Sequence, residues 1–196
     1  MINYPFGKRV NTSSTTSSRR NKNLTLNSAN RGMSFETDIN FSNDYYAQKH
    51  IALITKRPTP IKVVKVDYSR GARITDAYFS MQSTTDYNGI YHGRYIDFEA
   101  KSSHSKTSFP LNNITLHQFA HLKEVFLQGG IAFFLIEFTK LNEVYFLDAR
   151  FVVDWHENQQ KKSIPLAKIK ENGRLIKQGL RPRIDYLPTI IDFYSL

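Results

Sequence analysis

A mixed α/β domain carrying a thin basic arm is the fold this 196-residue sequence predicts. Three observations point to it. Charged and apolar residues alternate with period two over 95–101, the mark of a half-buried strand. Leu116, Phe119, Leu122 and Phe126 recur at spacings of three and four, the mark of a helix. The apolar run from Ile131 to Ile136, bracketed by Gly130 and Glu137, reads as a buried strand. With 40% apolar and 13% aromatic residues, the chain is long enough to bury a real core.

Residues 1–32 are expected to form a flexible basic arm, because 11–18 is entirely Asn, Ser and Thr and offers little to offset the entropy of ordering. The remainder, 33–196, reads as one domain. Ser34 is the expected N-cap of a helix over about 34–49, in which Phe35, Ile39 and Tyr46 share a stripe that Ser42 interrupts. Strand-like runs follow at 51–55, 61–68 and 72–79, with Pro58 and Pro60 breaking the first from the second. From 56 to 79 there are six basic residues, Lys56, Arg57, Lys62, Lys65, Arg70 and Arg73, against Asp67 and Asp76. That composition suits a projecting extended arm, an insertion over about 56–80, better than a core sheet. One strand is expected over 90–102, then a helix over about 114–128 ended by Gly129 and Gly130. Strands at 131–138 and 144–147 come next, and helical segments at 149–156, 166–171 and 186–194.

The formal charge is +10, and its distribution is uneven. Residues 1–35 hold six basic side chains and no acid, leaving 21 basic and 17 acidic over the rest. A polyanion such as nucleic acid is the natural partner, since each phosphate neutralised releases a counterion, while charge alone also leaves open a merely soluble basic protein or one that touches anionic lipid. There is no cysteine, which excludes disulfides, thiolate metal sites and a cysteine nucleophile. No apolar stretch is long enough for a membrane span and the N-terminus lacks a signal-peptide core, so no membrane partner is expected and the cytoplasm is the default location.

The chemistry centres on Asp86 followed thirteen residues later by Glu99 and, two on, by Lys101. Carboxylates supply hard oxygen ligands to Mg²⁺, and a lysine about 6–7 Å along the same strand face reaches a phosphate transition state. By spacing alone the pattern leaves two readings open, a catalytic assembly or a solvated strand face. Asp97 lies on the Glu99 face and is easily mistaken for the second ligand. Glu36 is a candidate accessory metal residue or simply a helix N-terminal acid complementing the dipole. His117 and His121 have zinc-like spacing without a clear third ligand, and read as surface histidines. Gln118, on residues alone, reads as an ordinary helix-surface position.

The strings NRGMSFE (30–36), KRPTPI (56–61), STTDYNG (83–89), YIDFEAK (95–101) and TSFPL (107–111) resemble those of the RecU family of Holliday junction resolvases. His117-Gln118 and Gln128-Gly129-Gly130 extend the likeness downstream. The resemblance implies a restriction-endonuclease-like PD-(D/E)XK fold, a mixed sheet flanked by helices with a projecting basic stalk. It also implies a homodimer that cuts four-way junctions symmetrically in recombination and repair. Position by position it makes Asp86, Glu99 and Lys101 catalytic. Thr84, Asp86, Glu99 and Gln118 become a Mg²⁺ site that Mn²⁺ would also suit. Thr85 stands where the wider motif has proline, as in the family's own pattern. Arg31 and the six basic residues of 56–79 become candidate DNA contacts. RecA and the branch-migration helicase are implied as partners. Two alternatives remain open: a same-fold nuclease acting on linear or damaged DNA, and a non-catalytic junction-binding protein.

Overall fold

The computed structural model describes residues 28–80, 84–159 and 161–196, with side chains from Phe35 onward. The expected arm therefore falls outside the described residues up to position 27. The first helix, α1 (Ser28–Gln48), begins six residues before Ser34, which lies within it and does not cap it. Phe35, Ile39 and Tyr46 are buried along it as the stripe predicts. Ser42 is buried too, because its hydroxyl donates to the Asp38 carbonyl at 2.9 Å and accepts from the Ile184 N–H at 2.8 Å. A polar residue in a buried stripe is tolerated when it is fully hydrogen-bonded in this way.

Among the described residues the main sheet has six strands. In chain order these are β1 (Leu53–Lys56), β4 (Tyr87–Tyr91), β5 (Arg94–Ser103), β7 (Ile131–Phe138), β8 (Glu143–Asp148) and β10 (Arg174–Leu175), while β2 (Ile61–Asp67) pairs with β3 (Arg73–Phe79) and β6 (Ser108–Pro110) with β9 (Ser163–Pro165) outside it. The six lie side by side in chain order. Only β5 and β7 pair in parallel, and the other neighbours are antiparallel. The parallel pair needs a crossover, which helix α2 (Leu116–Leu127) supplies. The single strand expected over 90–102 is in fact a hairpin. His92 and Gly93 turn the chain with φ of 43° and 79°, a left-handed pair suited to a two-residue loop. Gly89 is needed where β4 meets β1: a Cβ there would lie 2.2 Å from the Leu53 carbonyl oxygen.

Alternation along β5 sends Ile96, Phe98 and Ala100 into one core with α1 and α5 (Leu187–Tyr194). Phe98 lies between Tyr87 and Phe133 at ring distances of 4.8 and 4.6 Å. The opposite face of the sheet packs on α2, α3 (Ala149–Asn158) and α4 (Leu166–Asn172) through Phe134, Ile136, Tyr145 and Leu147. Strand β7 feeds both cores, which is why its sequence is almost continuously apolar. On α2 the stripe is shifted from the one expected: Phe119 and Leu122 are buried, Val125 joins them, and Leu116 in the first turn is 75% exposed.

The 56–80 insertion is a two-stranded ribbon, β2 (Ile61–Asp67) against β3 (Arg73–Phe79), which pairs with no other strand. Its register shifts on either side of Lys65, and nearly every residue along it is exposed. Lys56 and Arg57 belong to its root: Lys56 ends β1, and Arg57 precedes the Pro58–Pro60 stretch.

Candidate active site

The face of β5 turned away from Phe98 carries Asp97, Glu99 and Lys101, and α2 lies over it. A strand advances about 6.6 Å in two residues and a helix about 4.5 Å in three. Gln118 and His121 therefore sit opposite Glu99 and Asp97 respectively. Gln118 Nε2 donates to Glu99 Oε1 at 2.6 Å, and His121 Nε2 lies 2.9 Å from Asp97 Oδ2.

Asp86 sits at the entrance to β4, beside Glu99. Its backbone N–H donates to Glu99 Oε2 at 3.0 Å, and its own carboxylate accepts from the Ala100 N–H at 3.1 Å. Lys101 Nζ is 2.7 Å from Glu99 Oε1, with about a fifth of its side chain exposed. The three residues selected from sequence spacing thus converge on one carboxylate. Glu99 is fully buried, and its pKa is pushed from the ordinary 4.5 up to about 8, first by burial and then by the charge of Asp86, with Lys101 opposing. Tyr87, whose hydroxyl donates to Asn40 at 3.0 Å and to the Glu36 carbonyl at 3.2 Å, is raised by burial and by the combined charges of Glu36, Asp86 and Glu99.

That arrangement fits a divalent cation. Two adjacent carboxylates, one of them wholly buried, face a single ammonium, so a hard cation would relieve charge that Lys101 alone leaves uncompensated. Thr84, half-buried two residues before Asp86, adds a hydroxyl oxygen to the same turn. Gln118 is placed differently from the sequence expectation. It is buried, not on the helix surface, and its side-chain oxygen accepts from the Thr115 N–H at 3.0 Å while its backbone N–H donates to the Thr115 hydroxyl oxygen at 3.3 Å in return, a capping box. Its amide nitrogen is what meets Glu99, so it orients the acid by donation. Glu36 is ion-paired with Lys56.

Burial of Glu99 has a consequence for stability. An acid whose folded pKa lies above its unfolded value takes up a proton on folding. The cost of its ionisation is absent below about 4.5, grows as pH rises, and is complete above about 8. The metal-free protein should therefore lose on the order of 5 kcal/mol relative to Glu99→Gln across that window. Paired denaturant titrations of the two proteins at stepped pH measure the difference, and a flat difference would contradict the burial.

Two side chains expected to contact DNA have internal partners. Lys56 pairs with Glu36, and the Arg57 guanidinium pairs with Asp97 and donates to the Tyr95 hydroxyl at 2.8 Å. Lys62, Lys65, Arg70 and Arg73 are all exposed on the ribbon. Arg31 falls within α1. Sequence reasoning also missed His121, which is half-buried against Asp97 and not a surface histidine. Its spacing from Gln118 on a helix facing β5 was the available signal. His117 is exposed, and among the described residues no group of three or more His, Cys, Asp or Glu side chains gathers as a zinc site on these histidines would need. Nor is any helix among them long and apolar enough to cross a membrane.

A family model described as "Recombination protein U" matches residues 30–192. The chain is similar to a protein of Geobacillus kaustophilus named Holliday junction resolvase RecU, with 44% identity over 98% of each chain. It is likewise similar to a protein of that name in Bacillus cytotoxicus, with 47% identity over 97% of this chain and 96% of the other. A solved structure of Hjc, a Holliday junction resolvase of Archaeoglobus fulgidus, is a distant likeness at 11% identity and a TM-score of 0.42, covering 74% of this chain and 90% of that one.

Proposed function

The chain belongs to the recombination protein U family, and on that premise we propose that it is a metal-dependent endonuclease resolving four-way DNA junctions by paired symmetric incisions. The observation that carries the reading is the meeting of Asp86, Lys101 and Gln118 on the buried carboxylate of Glu99, in a protein that also projects an exposed basic ribbon.

Asp86 and Glu99 would hold Mg²⁺, or Mn²⁺, with Thr84 as a further oxygen donor. When bound, the ion lowers the pKa of a coordinated water and offsets charge growing on the phosphate oxygens. Gln118 keeps Glu99 aimed, since its amide is fixed at the other end by the helix cap. Lys101 is near enough to the acids and open enough to solvent to reach a scissile phosphate, where its ammonium stabilises the extra negative charge of the pentacoordinate state. Glu36 acts at the edge of the site by holding Lys56.

Lys62, Lys65, Arg70 and Arg73, together with Arg31, contact phosphates, with the ribbon entering the open centre of the junction and reading shape. The active form is a homodimer, because two equivalent sites about a two-fold axis match a pseudo-symmetric substrate. The protein works in the cytoplasm in recombination and repair, with RecA and the branch-migration helicase as partners by family resemblance.

The test compares a labelled four-way junction with a linear duplex of the same sequence, with and without Mg²⁺. Paired nicks of matching strands, on the junction and only with metal, are expected. Equal cutting of both substrates would argue for a general nuclease, and binding without cutting for an architectural protein.

A further inference from the structure

Asp97 is fully buried two residues before Glu99, and four side chains converge on its carboxylate. Thr85 donates to Oδ1. Arg57, Tyr95 (2.7 Å) and His121 (2.9 Å) meet Oδ2. These partners come from four separate places: the root of the ribbon, the turn before β4, the start of β5 and the middle of α2. The backbone closes the ring, since the Arg57 N–H donates to the Asp86 carbonyl at 2.7 Å. Arg57 is thus tied at both ends, by its guanidinium to Asp97 and by its backbone to Asp86.

We infer that Asp97 is the hub of a positioning clamp in which Arg57, Thr85 and His121 fix the turn carrying Asp86 against Glu99 and anchor the ribbon to that turn. Asp97 touches neither metal nor substrate in this reading. It acts through Thr85, the residue immediately before Asp86, and through Arg57, which holds the Asp86 carbonyl. The chemistry explains the residue types. A wholly buried carboxylate must be paired, and a guanidinium with an imidazole and two hydroxyls satisfies its lone pairs without adding a third free acid beside Asp86 and Glu99. Arg57 keeps its inward seat although its buried Nε has no hydrogen-bond partner among the described residues. The charge pair, more than full hydrogen bonding, therefore sets its place. In the chain Arg57 stands shortly before the ribbon and the Thr84–Asp86 turn shortly after it, and the Arg57 contacts to Asp97 and to the Asp86 carbonyl link the two.

The inference rests on the nuclease reading, and the test separates the two. Asp97→Asn keeps the shape but presents an amide N–H where donors converge. For the full-length variant, single-turnover cutting of a saturating junction complex should fall about 30-fold, and Mn²⁺ affinity followed by water-proton relaxation should fall about tenfold. Junction affinity without divalent metal should stay within about threefold of the parent, because no phosphate contact has been removed. His121→Ala should lose about tenfold in rate while His121→Gln, which restores a donor, recovers most of it. Since His121 is partly exposed, that pair decides the matter even if Asp97→Asn does not fold. Parent-like cutting and Mn²⁺ binding in His121→Ala would overturn the clamp, as would an Arg57→Ala protein that binds junctions about tenfold worse yet cuts normally at saturation. If the parent itself does not cut, the nuclease reading fails, and Mn²⁺ affinity alone still decides the clamp.

Discussion

Glu99→Gln should bind a four-way junction as the parent does and leave it uncut, with single-turnover cleavage lowered by on the order of 10³-fold or more. Glu99 is the point on which the Asp86 N–H, Gln118 and Lys101 all converge, so no neighbour is placed to replace it. The substitution keeps the side chain's shape and takes an ionisable group out of a buried position, so folding should not suffer. A labelled-junction assay with Mg²⁺, run beside a gel-shift without it, measures both quantities. Lys101→Ala provides the contrast: it should cost about 10²-fold in rate while leaving metal affinity nearly unchanged, because it removes charge stabilisation and not a ligand. Parent-like cutting by Glu99→Gln would remove the basis of the nuclease reading.

Changing Lys62, Lys65, Arg70 and Arg73 together to Ala should weaken junction binding by about 10²-fold and make the dependence of log affinity on log salt shallower by about 3.6, since each neutralised phosphate contributes about 0.9. The four side chains are exposed along a ribbon that shares no strand pairing with the main sheet, so the thermal midpoint should hardly move. Lys56 and Arg57 stood beside these four among the contacts expected from sequence. The structure narrows that set, because Lys56 and Arg57 are ion-paired with Glu36 and Asp97. A salt titration by fluorescence anisotropy measures the slope, and an unchanged slope would take the ribbon out of DNA binding.

Much of this architecture was legible from pattern. The β5 alternation, the apolar β7 and the isolated basic insertion each have one dominant physical cause, and each was read correctly from residues. What was missed depended on neighbours that no local window contains. The β4–β5 hairpin was taken for one strand because its turn rests on His92, an ordinary residue in a left-handed conformation, followed by Gly93. Ser42 looked like a flaw in the α1 stripe because its acceptor and donor lie four and 142 residues away. Gln118 and His121 looked like surface residues because nothing in α2 itself indicates that two buried carboxylates lie opposite. The same holds for Thr85: its hydroxyl, at a position where the wider motif has proline, finds Asp97 only once β5 is folded beside it.

The separation of ribbon and sheet leaves length as an independent variable. β2 and β3 pair only with each other as strands, and two prolines stand between β1 and β2. Residues can be inserted or deleted in matched pairs at the tip without shifting any pairing in the six-stranded sheet. Each pair changes the reach by about 3.4 Å. The reach of the ribbon can thus be adjusted by selection or by engineering, in discrete steps, while the sheet that carries Asp86, Glu99 and Lys101 stays as it is.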